Sequence, residues 1–313
     1  MSAIKWEGVY SALLTPFDAD DHIDYNLFEI NIQAQVDAQI DGIVLGGSLG
    51  EASTLSFEEK KSLLTHAKRI VKDRIPVVLN IAEQSTKEAM RIARQAEASG
   101  ADGLMVLPPM RYNADKTETL EYFRSIASIT SLPLMIYNNP HDYKIEITLD
   151  MFAELEKIPT VRAIKESTRD VSNVTRLKNR FKDRFKILCG VDTLAFEELV
   201  MGADGWVGGL VDAFPVETVA VYRLLKGGKV KEALEVFRWF MPLLELDIHA
   251  KFVQYIKIAA TETGLGSEYV RAPRLKLSGS ERERIMHTVA DAISKRKEIL
   301  GHLSAATMAT ALA

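Results

Sequence analysis

The chain has 313 residues, 47% hydrophobic and 26% charged, with a net charge of −4. That balance excludes a disordered chain and fits a soluble globular protein with a large core. No apolar run is long enough to span a bilayer, Lys and Arg are interleaved with Asp and Glu, Cys189 is the single cysteine, and the six histidines never pair at ligand spacing, so membrane insertion, nucleic-acid binding, an intramolecular disulfide and a metal centre are not expected.

The opening MSAIKWEGVY lacks the basic and apolar regions of a signal peptide, which gives the expectation of a cytoplasmic protein. Eight short apolar runs with strand character follow: GVYSALL (8–14), GIVLGG (42–47), PVVLNIA (76–82), GLMVLPP (103–109), LPLMIYN (132–138), VRAIKE (161–166), FKILCGV (185–191) and GWVGGLV (205–211). Between them lie segments of helical period, such as SFEEKKSLLTHAKRIVK and STKEAMRIARQAEASG, which open with Ser or Thr and acids in the first turn. Three runs begin alike, IDGIVL, ADGLMV and ADGWVG, as expected of one unit used repeatedly. Eight buried strands alternating with helices predict an α/β fold, a closed parallel (β/α)8 TIM barrel over residues 1–226. Residues 227–313 read as a C-terminal helical domain, joined at Gly227-Gly228, with VKEALEVFRWFMPLLELDIHAKFVQYIKIAATETG as one helical stretch and a mobile tail from about residue 301.

In such a barrel the chemistry sits where strands end. The ends offer Thr15, the turn Gly46 to Glu51, Glu83, Pro108 to Tyr112, Tyr137 to Pro140, Lys165 to Thr168, Gly190 to Asp192, and Gly208-Gly209. Lys165 closes an apolar strand at this mouth. Held away from bulk water, an ammonium is disfavoured and the free amine becomes a nucleophile able to form a Schiff base with a ketone. The ordinary alternative is a lysine whose stem packs while its head reaches solvent or pairs with Glu166. Tyr137 closes the neighbouring strand and could shuttle protons, or could simply be a buried tyrosine with a satisfied hydroxyl. The GGSLGE turn offers backbone N–H groups and the Ser48 hydroxyl to a carboxylate, or is only a tight connection.

Together the stretches Thr15 to Phe17, Gly47 to Leu55, Tyr137 to Pro140, Ile164 to Thr168 and Gly190 to Asp192 resemble the dihydrodipicolinate synthase / N-acetylneuraminate lyase family of Schiff-base aldolases and lyases, from about residue 7 to 300. The resemblance implies a barrel with a C-terminal helical domain, a homotetramer, and action on pyruvate or a related 2-oxo acid without metal or nucleotide cofactor. It implies a Schiff base at Lys165, proton transfer by Tyr137, carboxylate binding by Ser48 and Leu49, and a backbone carbonyl near Val207 facing the pocket. Four positions depart from true dihydrodipicolinate synthases. Leu49 replaces a relay threonine, and Met110 and Arg111 replace an aromatic pair, leaving Arg111 to meet a substrate anion from another direction. Asp142 stands where an arginine would clamp the partner's carboxylate. The Ser48-Leu49 turn looks like that of family members in hydroxyproline catabolism, so the leading expectation is a lyase that deaminates a hydroxypyrroline carboxylate, a cyclic imino acid. The alternatives are 4-hydroxy-tetrahydrodipicolinate synthase, N-acetylneuraminate lyase or 2-keto-3-deoxy sugar acid aldolase or dehydratase, and a catalytically silent acid-binding barrel.

Overall fold

A computed structural model describes residues 4–302. Eight parallel strands close in sequential order: β1 Gly8–Ala12, β2 Gly42–Leu45, β3 Val77–Ile81, β4 Gly103–Val106, β5 Leu134–Asn138, β6 Val161–Glu166, β7 Lys186–Cys189 and β8 Gly205–Gly208. Each lies within one of the eight apolar runs, so the expected (β/α)8 barrel is what forms.

The period of two sorts each strand into an inner and an outer face. Val44, Val78, Met105, Met135, Ala163 and Leu188 pack inside the barrel. Their neighbours Ile43, Leu45, Leu79, Leu104, Ile136 and Ile164 pack outward, against apolar stripes such as Leu63, Leu64 and Ala67 of the helix Phe57–Val71. That helix starts at a complete capping box: the Ser56 hydroxyl accepts from Glu59 N–H and the Glu59 carboxylate accepts from Ser56 N–H.

After β8 the described chain is helical, and here the middle stretch departs from expectation. Instead of one helix over 230–264 there are two, Val230–Leu244 and Phe252–Glu262, separated by a 3-10 turn, Glu245–Ile248, and a short link. Pro242 lies in the last turn of the first helix; it has no N–H to donate, which weakens continuation of the ladder. The break folds residues 247–250 back over the barrel mouth. The expected mobile tail falls almost wholly outside the described residues; its first two positions, Gly301 and His302, end the helix Gly279–His302.

Candidate active site

The register of β5 and β6 sets the centre of the site, because Tyr137 pairs with Lys165 and Asn138 with Glu166. Alternation then points Tyr137 and Lys165 together into the barrel and sends Asn138 and Glu166 outward. Lys165 is only 6% exposed, so its head does not reach solvent. Nor does it pair with Glu166, whose carboxylate accepts from Thr168 N–H at 2.8 Å and Asn173 Nδ2 at 2.9 Å behind the sheet. The Lys165 ammonium position lies 4.5 Å from the centre of the Tyr137 ring. Burial pulls the Lys165 amine below its ordinary value, against the opposing charges of Asp247, Tyr143 and Asp192. Burial also pushes the Tyr137 phenol up, while its oxygen accepts from Asn139 Nδ2 at 3.1 Å. Space for the lysine comes from Gly190: a Cβ there would lie 2.6 Å from Lys165 Cε and 2.2 Å from Ser167 Oγ.

These groups line a cavity of about 820 Å³, within the range of small-molecule sites. The turn after β2 forms one wall and is held from several sides. Asn80 Nδ2 donates to the Gly46 carbonyl at 2.9 Å and Thr15 Oγ1 to that of Gly50 at 2.8 Å. Glu51 sits at φ 59°, a left-handed conformation disfavoured for its side chain. Its buried carboxylate accepts from Lys257 Nζ at 2.6 Å, Arg271 N–H at 3.2 Å and Arg274 Nη1 at 3.4 Å, all from the C-terminal helical region. Burial draws the Lys257 amine down to about 8, with Glu51 pulling the other way. Ser48 and Leu49 are thereby fixed on the cavity wall.

The cavity also brings together Val207, Arg111 and Asp142, so all seven residues singled out from the sequence share one pocket. Burial raises the Asp142 carboxyl, but hydrogen bonds with His141 at 2.9 Å and Asn139 at 2.8 Å outweigh this and hold it below the ordinary value. Position 142 therefore presents an anion at the pocket. Tyr143 and Asp247 are among the lining residues that were not anticipated. Tyr143 hydrogen-bonds the Ser48 hydroxyl and stands edge-on to Tyr137 with ring centres 5.6 Å apart, which puts a second phenol in the pocket. Asp247 arrives on the 3-10 turn at the helix break. Pro242 was the one visible signal of that break. Asp192, named only as part of a strand end, is fully buried and accepts from Trp206 Nε1 at 2.8 Å and Leu210 N–H at 2.8 Å.

The model of the Dihydrodipicolinate synthetase family matches residues 5–292. The chain belongs to that family. It is 31% identical over 272 residues to a 4-hydroxy-tetrahydrodipicolinate synthase of Exiguobacterium sibiricum, covering 87% of this chain and 92% of the relative. A synthase of the same name from Rickettsia bellii is 29% identical, with 90% and 95% covered. Among solved structures, the 4-hydroxy-tetrahydrodipicolinate synthase of Methylacidiphilum fumariolicum superposes with a TM-score of 0.89 at 30% identity, covering 95% of this chain and 98% of that one. A dihydrodipicolinate synthase of Acinetobacter baumannii complexed with pyruvate gives 0.88 at 26% identity, over 92% and 99%. This family member is accordingly an enzyme, a lyase of the Schiff-base, class I aldolase type. The names of these relatives point to the synthase, not to the hydroxyproline branch expected from the Ser48-Leu49 turn.

Proposed function

We propose that Lys165 forms a Schiff base with a pyruvate-type 2-oxo acid or cyclic imino acid, and that Tyr137 moves the protons. One observation carries this reading: a buried lysine that has no carboxylate in ion-pair contact among the described residues stands beside a phenol at the mouth of a cavity of about 820 Å³. Ser48 and the backbone N–H groups of its turn hold the substrate carboxylate, and the Val207 carbonyl faces the same space. Borohydride reduction in the presence of pyruvate should leave a covalent adduct on Lys165, read by mass spectrometry. No adduct with pyruvate or any related 2-oxo acid would sink the reading. Assembly as a homotetramer belongs to the same proposal and is tested by the mass in solution.

Within that chemistry we favour deamination of a hydroxypyrroline carboxylate. Asp142, kept as an anion where the resemblance places an arginine, repels the second carboxylate of a dicarboxylic product. The favoured reaction balances without a cofactor: one water leaves in dehydration, two are consumed as C=N bonds are hydrolysed, and ammonia and a 2-oxo semialdehyde result. The second reading, condensation of pyruvate with aspartate semialdehyde, is supported by the names of the relatives. Assaying the two reactions side by side separates them. Ammonia release from the hydroxylated ring without condensation supports the first, and condensation without ammonia release supports the second.

A further inference from the structure

We propose that Asp247 is the residue that selects substrates carrying a cationic nitrogen beyond the reacting carbon. The inference rests on the Schiff-base reading and deepens it. Asp247 comes from the C-terminal helical region, yet its side chain lines the same cavity as Lys165 and Tyr137. Gly209 leaves room for it: a Cβ there would lie 2.6 Å from Asp247 Oδ1 and 3.0 Å from Leu49 Cδ2. The carboxylate therefore sits next to the apolar residue that replaces a hydroxyl on the substrate turn. Among the described residues it has no salt-bridge partner.

Lys60, Arg111, Arg169 and Arg274 also line the cavity, but the cation whose charge acts on Asp247 is Lys165, set against Asp192 beside it and Asp142 as a third carboxylate. Burial and Asp192 push the Asp247 carboxyl well up and Lys165 only partly offsets them, so among the described residues the site lacks a cation sufficient to keep this acid ionised. To act as a nucleophile, however, Lys165 must give up its charge. A nitrogen cation on the substrate supplies what the acids then lack.

The chemistry of a cyclic imino acid delivers such a cation at the right step. Lys165 Nζ adds to C2 of the ring imine, and the ring C2–N bond then breaks. The two protons of the amine end on the departing nitrogen, which takes a third from solvent and becomes a tethered ammonium. One C=N bond has replaced another, with no change of oxidation state. Asp247 receives that ammonium; a 2-oxo acid without nitrogen leaves it unpaired.

The test compares 1-pyrroline-2-carboxylate with 2-oxopentanoate, two ligands with the same carbon count that differ in the nitrogen. Isothermal titration calorimetry gives their dissociation constants for the wild-type enzyme and for Asp247→Asn. Both ligands use the same amine, so their ratio cancels whatever Asp247 does through Lys165. Because the ketone releases a water on forming its Schiff base and the ring imine does not, the wild-type ratio is the reference, and Asp247→Asn should lower the pyrroline's advantage about tenfold, the scale of one ion pair. Gly209→Ala, which crowds Oδ1, should lower the ratio in the same direction. A ratio that stays at its wild-type value in both variants overturns the proposal. Neither ligand carries a hydroxyl to eliminate, so failure of the deaminase reading would show separately, as no ammonia release from the hydroxylated ring.

Discussion

Replacing Lys257 by methionine removes the cation that lies 2.6 Å from the Glu51 carboxylate, both side chains being at most 1% exposed. Methionine fills similar space, so the loss is electrostatic: Glu51 keeps Arg271 N–H and a 3.4 Å contact to Arg274 but loses its shortest partner. Breaking a buried pair from one side costs roughly 3–5 kcal/mol. For a chain of this size that is a drop in Tm of about 2 °C per kcal/mol, or roughly 6–10 °C. The loss should also reach the site, because Glu51 holds a left-handed φ at the end of the turn that carries Ser48. Freed, the turn should relax and the half-saturating pyruvate concentration for borohydride trapping should rise about tenfold, the worth of one lost charge-assisted hydrogen bond. The double variant Glu51→Gln with Lys257→Met should lose less than the sum of the two single changes, since it leaves no orphaned charge. Scanning calorimetry and trapping titrations read both effects. A Tm within about 2 °C of wild type together with unchanged trapping would refute the idea that this pair clamps the turn.

Lys165→Met should abolish the pyruvate adduct while leaving Tm equal or higher, because a buried amine is a functional cost to stability; a marked fall in Tm would contradict this. Since burial lowers the Lys165 amine, the half-point of the trapping rate against pH should lie below 10.5, and a half-point at or above that value would show the amine to be solvated. Gly190→Ala should overpack Lys165 and Ser167, destabilising by about 1–3 kcal/mol and slowing trapping while pyruvate binding persists; an unaffected trapping rate would show that Gly190 does not set the lysine's path. Behind the sheet, burial and then Glu166 push the Glu198 carboxyl from 4.5 up to about 8. The folded state then holds a proton that the unfolded state has lost between those values, so stability is full below about pH 4.5 and falls as pH rises toward 8, at up to about 1.4 kcal/mol per unit. Glu198→Gln should flatten that fall in denaturant titrations at pH 5 and pH 8, and an unchanged slope would rule Glu198 out as its source.

Much of this molecule is readable from residue order. A strand must alternate, so apolar runs of strand length separated by capped amphipathic segments specify the barrel and its strand ends. Alternation also explains the lysine in VRAIKEST: with Ala163 inside, Lys165 is inside too, and Glu166 is not its partner. Asp142 and Leu49 likewise declare themselves, since their departure from the family pattern is a matter of residue identity. Long-range placement was not readable. Glu51 and Lys257 are 206 residues apart, and nothing in either local sequence says that one buries its charge against the other. Tyr143 gave no signal because its role depends on Ser48, 95 residues away. Asp247 lay in a stretch with continuous helical period, and only the break after Pro242 turns it toward the barrel. Sequence determines which groups can do chemistry and on which face of an element they stand, because those properties have a period of two or 3.6 residues. Which groups from distant elements share a cavity, and how their charges balance, is decided by how the chain closes in space, for which the sequence carries no period at all.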